Sequence, residues 1–225
     1  CYIKRKEYAG LERSGVPFVV LGFSPAKAHY HAVYPDYVPG TRDLVGHLCA
    51  LGHRRIALVG GDPDIEDIDV QKFKGFKLAL QDAGVQFAPE LHKPCDYRDR
   101  AEVSRLTAEL LALDDVPSAI VAADDLMALR VVEVLRERRI RVPEEVAVVG
   151  FNDHDVARLM SPKLTTLRVH QREMGAKAVG LLLGQVKRRK ARQRQVRTAP
   201  TLVVRESCGA GLVRSRIAGR RSTRR

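Results

Sequence analysis

Four short apolar runs punctuate the chain: Phe18-Val19-Val20-Leu21, Ile56-Ala57-Leu58-Val59, Ala119-Ile120-Val121-Ala122 and Val146-Ala147-Val148-Val149. Each is continuous instead of alternating, which is the pattern of parallel strands buried on both faces. Between them, apolar residues recur at steps of three and four. Leu44, Val45, Leu48 and Leu51 form one such set, and Phe73, Phe76, Leu80 and Ala83 a second. Val103, Leu106, Leu110 and Leu113 form a third, and Met127, Val131 and Leu135 a fourth. Each set falls on one face of a helix. Gly52 and Gly84 follow the first two sets, where a left-handed residue often ends a helix. Strands alternating with crossover helices predict an α/β fold with doubly wound parallel sheets.

After Phe151 the rhythm changes. Residues 152–163 are irregular and contain Pro162. An extended piece follows at Leu164-Thr165-Thr166-Leu167, then a helix with Met174, Ala178, Leu181 and Leu182 on one face. Two more extended pieces are expected near Val196 and at Thr201-Leu202-Val203-Val204. Past Cys208 the chain is rich in Gly, Arg and Ser, and residues 209–225 are expected to be a disordered basic tail.

Composition narrows the classes. With 225 residues and 45% hydrophobic residues, the chain can build one large domain or two lobes around a real core. No apolar run is long enough to span a membrane, and the first residues contain no apolar leader. The four cysteines, Cys1, Cys49, Cys95 and Cys208, are far apart and form no C-x-x-C, so neither a zinc site nor a disulfide framework is expected. A reducing cytoplasm is the natural compartment. The net charge of +12 resembles a nucleic-acid signal until it is located. Residues 187–225 hold 14 of the 39 Lys and Arg against a single acidic residue, which leaves residues 1–186 at −1. The body thus lacks the positive field of a domain that grips phosphates.

Motif chemistry is sparse. Gly60-Gly61 follows a strand but belongs to no phosphate-loop pattern. Gly22-Phe23-Ser24-Pro25-Ala26 mimics a nucleophile elbow, yet Pro25 removes the backbone N–H that an oxyanion hole needs. His29, His31 and His154 lack metal-ligand spacing, and no cofactor motif is present. More informative are polar groups at strand ends: Asp124-Asp125 after 119–122, Asn152-Asp153 after 146–150, Lys72 opening the helix after 56–60, and Gly22 closing 18–21. In open parallel sheets, ligands bind beyond the carboxyl ends of strands. Carboxylate, amide and amine together suit a hydroxyl-rich or amine-bearing small molecule. The same Asp and Asn residues also make ordinary helix caps.

Several segments together resemble the lactose-repressor (LacI/GalR) family of transcription regulators. They are Gly40-Thr41-Arg42 through Val59, Phe73-Lys74-Gly75-Phe76 through Val85, and Pro117-Ser118-Ala119-Ile120 with Asp124-Asp125-Leu126-Met127-Ala128-Leu129. Val142-Pro143 through Gly150-Phe151-Asn152-Asp153, Pro162-Lys163-Leu164-Thr165-Thr166-Leu167, and Leu202 through Cys208 complete the set. Any one is weak. Six in family order over roughly residues 16–208 are specific.

The resemblance implies a two-lobed fold like that of periplasmic binding proteins, with three crossover strands and a ligand cleft. The expected lobes are 37–164 plus 201–208, and 1–35 plus 165–199, the second of them incomplete. The chain is expected to be a fragment that starts inside a helix of the first lobe and lacks the DNA-binding segment. Family ligand positions carry over to Lys72, which replaces an arginine; to Tyr97 as the stacking ring; and to Asp124 and Asn152, which exchange acid and amide relative to the family pattern. Gly22 stands where many members have a polar contact. The implied function is effector binding and dimerisation in a repressor, without catalytic residues, metal or cofactor. The implied partners are a small polar, sugar-like effector, a second copy, and operator DNA through the segment absent here. A transporter's solute-binding protein is the alternative.

Overall fold

The structure, a computed structural model, describes residues 10–11, 13–23, 30–61, 67–96, 99–187 and 194–212. The chain forms two compact units, residues 37–169 with 200–225 and residues 1–36 with 170–199. It passes from one to the other at Asp36–Tyr37, Val169–His170 and Ala199–Pro200.

The larger unit is built on a six-stranded sheet. Its strands are β3 (Ile56–Val59), β4 (His92–Lys93), β5 (Ala119–Ala122), β6 (Ala147–Asn152), β7 (Thr165–Arg168) and β9 (Thr201–Val203), in the order β4-β3-β5-β6-β7-β9. All pairings are parallel except β7 with β9. Every residue of β3 and β5 is buried, as continuous apolar runs require. The helices are α1 (Tyr37–Ala50), α2 (Asp67–Asp82), α3 (Arg100–Leu110), α4 (Asp125–Glu137) and the single-turn α5 (Val156–Leu159). The predicted apolar stripes are their buried faces: Leu44, Val45 and Leu48 on α1, Val103, Leu106 and Leu110 on α3, and Met127, Val131 and Leu135 on α4. Gly52 and Gly84 adopt φ of +100° and +62°. His53 and Val85 then reach back with their N–H to Leu48 O and Leu80 O, closing both helices.

The smaller unit has a parallel three-stranded sheet, β1 (Val19–Leu21), β2 (His31–Pro35) and β8 (Gln195–Thr198), in the order β1-β2-β8. Helix α6 (Gln171–Lys187) packs on it and buries Met174.

Three expectations are corrected. Residues 165–168 form β7 of the larger sheet, paired to both β6 and β9, so they do not belong to the smaller lobe. The basic tail does not begin at residue 209. Gly209 is ordered, residues 210–212 are helical, and Ser207 ties the segment to β7 by accepting from Thr165 N and to β6 by donating to Val148 O. Residues 213–225, the rest of that expectation, lie outside the described residues. Finally, Lys72 does not open its helix, because α2 starts at Asp67.

Helices α1 and α2 approach backbone to backbone at Gly75. A Cβ there would sit 2.6 Å from Val38 O and 2.7 Å from Thr41 Cβ. Gly75→Ala is therefore expected to cost about 2 kcal/mol net in urea unfolding, although alanine gains about 1 kcal/mol in helix propensity. Gly46→Ala on α1 should have the opposite sign, since a Cβ there meets nothing within 4 Å.

Candidate functional site

Because β3, β5, β6 and β7 run parallel, their carboxyl ends lie on one edge of the larger unit. Three of the expected site residues meet there. Asp124 follows β5 and caps α4, its Oδ1 accepting from Leu126 N at 2.8 Å. Its Oδ2 accepts from Asn152 Nδ2 at 2.8 Å. Asn152 ends β6 with φ of +97°, and Asp153 follows at +55°. Two successive non-glycine residues in the left-handed region mark a turn held against local strain, as occurs at functional sites.

The third residue, Lys72, is 6% exposed. Its ammonium donates to Ala123 O at 2.7 Å, lies 3.6 Å from Asp69 Oδ1, and sits 5.1 Å from the ring centroids of both Tyr37 and Phe151. Carboxylate, carbonyl and two π faces together offset the cost of burying that charge. Lys72 thus fastens α2 to the end of β5, and its charge is largely consumed by the protein.

Two further residues of the edge were not singled out as contacts from sequence. Tyr37 opens α1 and donates its hydroxyl to Asn152 Oδ1 at 3.1 Å. With Asp124 on the other side, both ends of the Asn152 amide are fixed. Burial, reinforced by Asp124, Asp69 and Asp125, pushes the Tyr37 phenol far up, so it stays a donor. The buried Asp125 accepts from Thr166 Oγ1 at 2.6 Å and from His154 N at 2.7 Å. The His154 ring Nδ1 lies 3.8 Å from Asp124 Oδ2. No local pattern marks Tyr37, whereas Asp125 was visible only as the second member of an acidic pair.

Two carboxylates here titrate in opposite directions. Burial raises Asp125 to about 6, against the lowering effect of its two hydrogen bonds. Burial would also raise Asp153, but the bonds from Arg168, Arg205 and Arg158 outweigh it and hold that carboxyl low. A raised folded pKa favours the protonated carboxyl in the native state. Asp125 therefore contributes stability that is lost as pH rises from about 4 through about 6. The difference between wild type and Asp125→Asn in urea-derived stability should change by roughly 2–3 kcal/mol over that window and be flat above it.

Of the remaining expected contacts, Tyr97 lies outside the described residues. Gly22 lies in the smaller unit, where it closes β1 with φ of +96° and donates its N–H to Val33 O at 2.8 Å. Among the described residues no cluster of three His, Cys, Asp or Glu side chains could hold a metal ion, and Cys49, Cys95 and Cys208 are buried free thiols.

A parallel-sheet unit with an ordered carboxylate and amide beyond its strand ends matches a known domain type. The periplasmic binding protein-like domain profile covers residues 45–208. The chain belongs to this family. Within it, the chain is a LacI-type core: it is 30% identical to a LacI-family transcriptional regulator from Sanguibacter keddieii and superposes on it with a TM-score of 0.77, over 86% of this chain and 72% of that one. A solved complex of the transcriptional regulator CelR with cellobiose superposes with a TM-score of 0.83 at 30% identity, over 92% of this chain and 63% of that one. An HTH-type transcriptional regulator from Streptomyces limosus, encoded in an aml 5′ region, is 34% identical over 210 residues, covering 90% of this chain and 57% of its own length. The HTH-type transcriptional repressor PurR of Pasteurella multocida is 26% identical over 194 residues, covering 86% and 58% respectively. This LacI-type core therefore spans a little under three fifths of the curated relatives it matches.

Proposed function

We propose that the strand-end edge of the larger unit binds a small, hydroxyl-rich effector, and that this binding is a signal within a repressor and not a step of catalysis. One observation carries the reading: the Asn152 amide is held at both ends by the protein's own Tyr37 and Asp124 side chains. Among the described residues each Asp124 oxygen accepts one hydrogen bond, which leaves acceptor capacity on a buried carboxylate whose side chain is still 13% exposed. Sugar hydroxyls are the matching donors, and charge-assisted bonds to them are the strong kind. Cellobiose bound to the related CelR is consistent with that chemistry.

Tyr97 is the proposed stacking ring, and Gly22 a further proposed ligand contact. Lys72 supports the floor through Ala123 O. The effector would bias one arrangement of the whole repressor over another by no more than its difference in affinity for the two. DNA contact would fall to a further segment of the full protein, in keeping with relatives named HTH-type that are longer than this chain. Dimer formation and a cytoplasmic setting complete the proposal. Among the described residues no helix is long and apolar enough to cross a membrane.

The test is a thermal-shift screen of mono- and disaccharides, polyols, nucleosides and purines, followed by calorimetry on any hit. A ligand at about 100 times its Kd adds nearly 3 kcal/mol of apparent stability. A saturable sugar or polyol that shifts the transition supports the reading. Silence across the whole panel defeats it.

A further inference from the structure

The arginines around Asp153 take no part in the Tyr37–Asn152–Asp124 network. The Asp153 side chain is 1% exposed and holds three guanidiniums drawn from three places. Arg205 Nη2 donates to Oδ1 at 2.5 Å, while Arg168 Nε and Arg158 Nη2 share Oδ2 at 2.7 and 3.2 Å. Arg205 is largely buried, at 13%, and spends Nη1 on Leu164 O. Arg158 and Arg168 are different: they are 55% and 40% exposed, and each commits a single nitrogen to the protein among the described residues.

The charges do not balance. One carboxylate faces three cations. Of the acidic residues next in sequence to this cluster, Glu206 is engaged by Lys163, and Asp155 forms no ion pair among the described residues. Even when the Asp155 carboxylate is counted, one positive charge is left over, and sharing one oxygen keeps the bonded nitrogens of Arg158 and Arg168 within about 6 Å of each other. Exposed arginines are usually mobile. These two are braced from behind by a buried carboxylate, so little side-chain freedom is left to lose on binding. Arginine forks match oxyanions bidentately. Arg168 is also the register partner of Asn152, which places the pair at the same sheet edge as the polar network.

We infer that Arg158 and Arg168, braced by Asp153, form a binding site for an oxyanion, a phosphate or a carboxylate group. The anion can be free, or it can be carried by the same molecule that contacts Asn152; the second case rests on the effector reading above.

The experiment titrates inorganic phosphate into the full chain by calorimetry, with ionic strength held constant by chloride, while NMR follows the arginine Nε–H resonances. The expected result is saturable binding with Kd below about 1 mM and selective shifts at Arg158 and Arg168. Arg158→Gln and Arg168→Gln should each weaken it at least about 10-fold. Both variants should fold, because Arg205 still neutralises Asp153. The NMR shifts test the site in the wild type in any case. Unsaturated heats up to about 20 mM phosphate, or binding that both variants leave intact, would overturn the site. Glucose 6-phosphate separates the two sources. Affinity equal to that of phosphate, and unaffected by Asn152→Ala, means a free anion. Tighter binding that Asn152→Ala reduces means a phosphate borne by the effector. Failure of every neutral sugar in the earlier screen leaves the phosphate arm decisive by itself.

Discussion

Replacing Asp153 with alanine is expected to destabilise the larger unit by roughly 3–5 kcal/mol, the range for removing one partner of a buried ion pair. The effect has two sources. Arg205 is left with its Leu164 O bond alone in a largely buried position, and Arg158 and Arg168 lose the carboxylate that keeps three like charges together. Alanine also tolerates the +55° φ of this position less well than aspartate does. Asp153→Asn separates the two contributions, since asparagine accepts the left-handed backbone but carries no charge. Urea unfolding at pH 7 should place it between wild type and Asp153→Ala. Adding Arg205→Met to Asp153→Ala should recover part of the loss, because the stranded cation goes with it. If Asp153→Ala unfolds at the wild-type midpoint, the three arginines are surface decoration and Asp153 is no anchor. Acid should mimic the substitution. A depressed folded pKa means that the stability from Asp153 is present above the ordinary aspartate range and lost as pH falls through it, opposite in sign to Asp125.

These two carboxylates show where sequence reasoning reached and where it stopped. The α/β class and the main elements of the larger sheet were legible, because a run such as Ile56–Val59 has no polar face to offer water, and steps of three and four have only one helical solution. Elements without such patterns were not. Strand β2, His31-Ala32-Val33-Tyr34-Pro35, carries a histidine and a proline yet is wholly buried. Strand β4 is two residues, meaningful only beside Leu58 and Val59. Asp124 and Asn152 were legible as polar residues at strand ends, because the ends of apolar runs are predictable and the family resemblance points to the same positions. Their mutual hydrogen bond was not, nor was the Tyr37 contact made across 115 residues of chain. Lys72 reads from sequence as an amine near the strand ends, and only packing reveals that its ammonium meets Ala123 O and two aromatic rings. Asp125, first residue of a helix, reads as a solvent-facing acid until Thr166 and the His154 amide close over it.

The largest effect on binding is expected at Asp124. Asp124→Ala should weaken the effector found in the screen by roughly 3–4 kcal/mol, a few-hundred-fold in Kd, for reasons that add. The direct charge-assisted acceptor is gone, which alone accounts for about 1.5–3 kcal/mol. The Asn152 amide also loses the partner that fixes its Nδ2 end, so a second contact is no longer held ready. Stability should fall by only about 1 kcal/mol, the cost of the lost cap on α4. Asp124→Asn keeps an oxygen for Leu126 N–H but turns an NH2 toward Asn152 Nδ2 and removes the charge, so it should retain the cap's share of the stability and still lose most of the affinity. Tyr37→Phe probes the other end of the same amide. It removes one neutral hydrogen bond and is expected to cost binding about 1 kcal/mol. Calorimetry on the three variants distinguishes a ligand contact from a cap. Affinity lost in both Asp124 variants with the fold intact identifies a recognition residue; affinity retained in Asp124→Asn, with stability lost only in Asp124→Ala, identifies a helix cap and moves the site elsewhere on the edge.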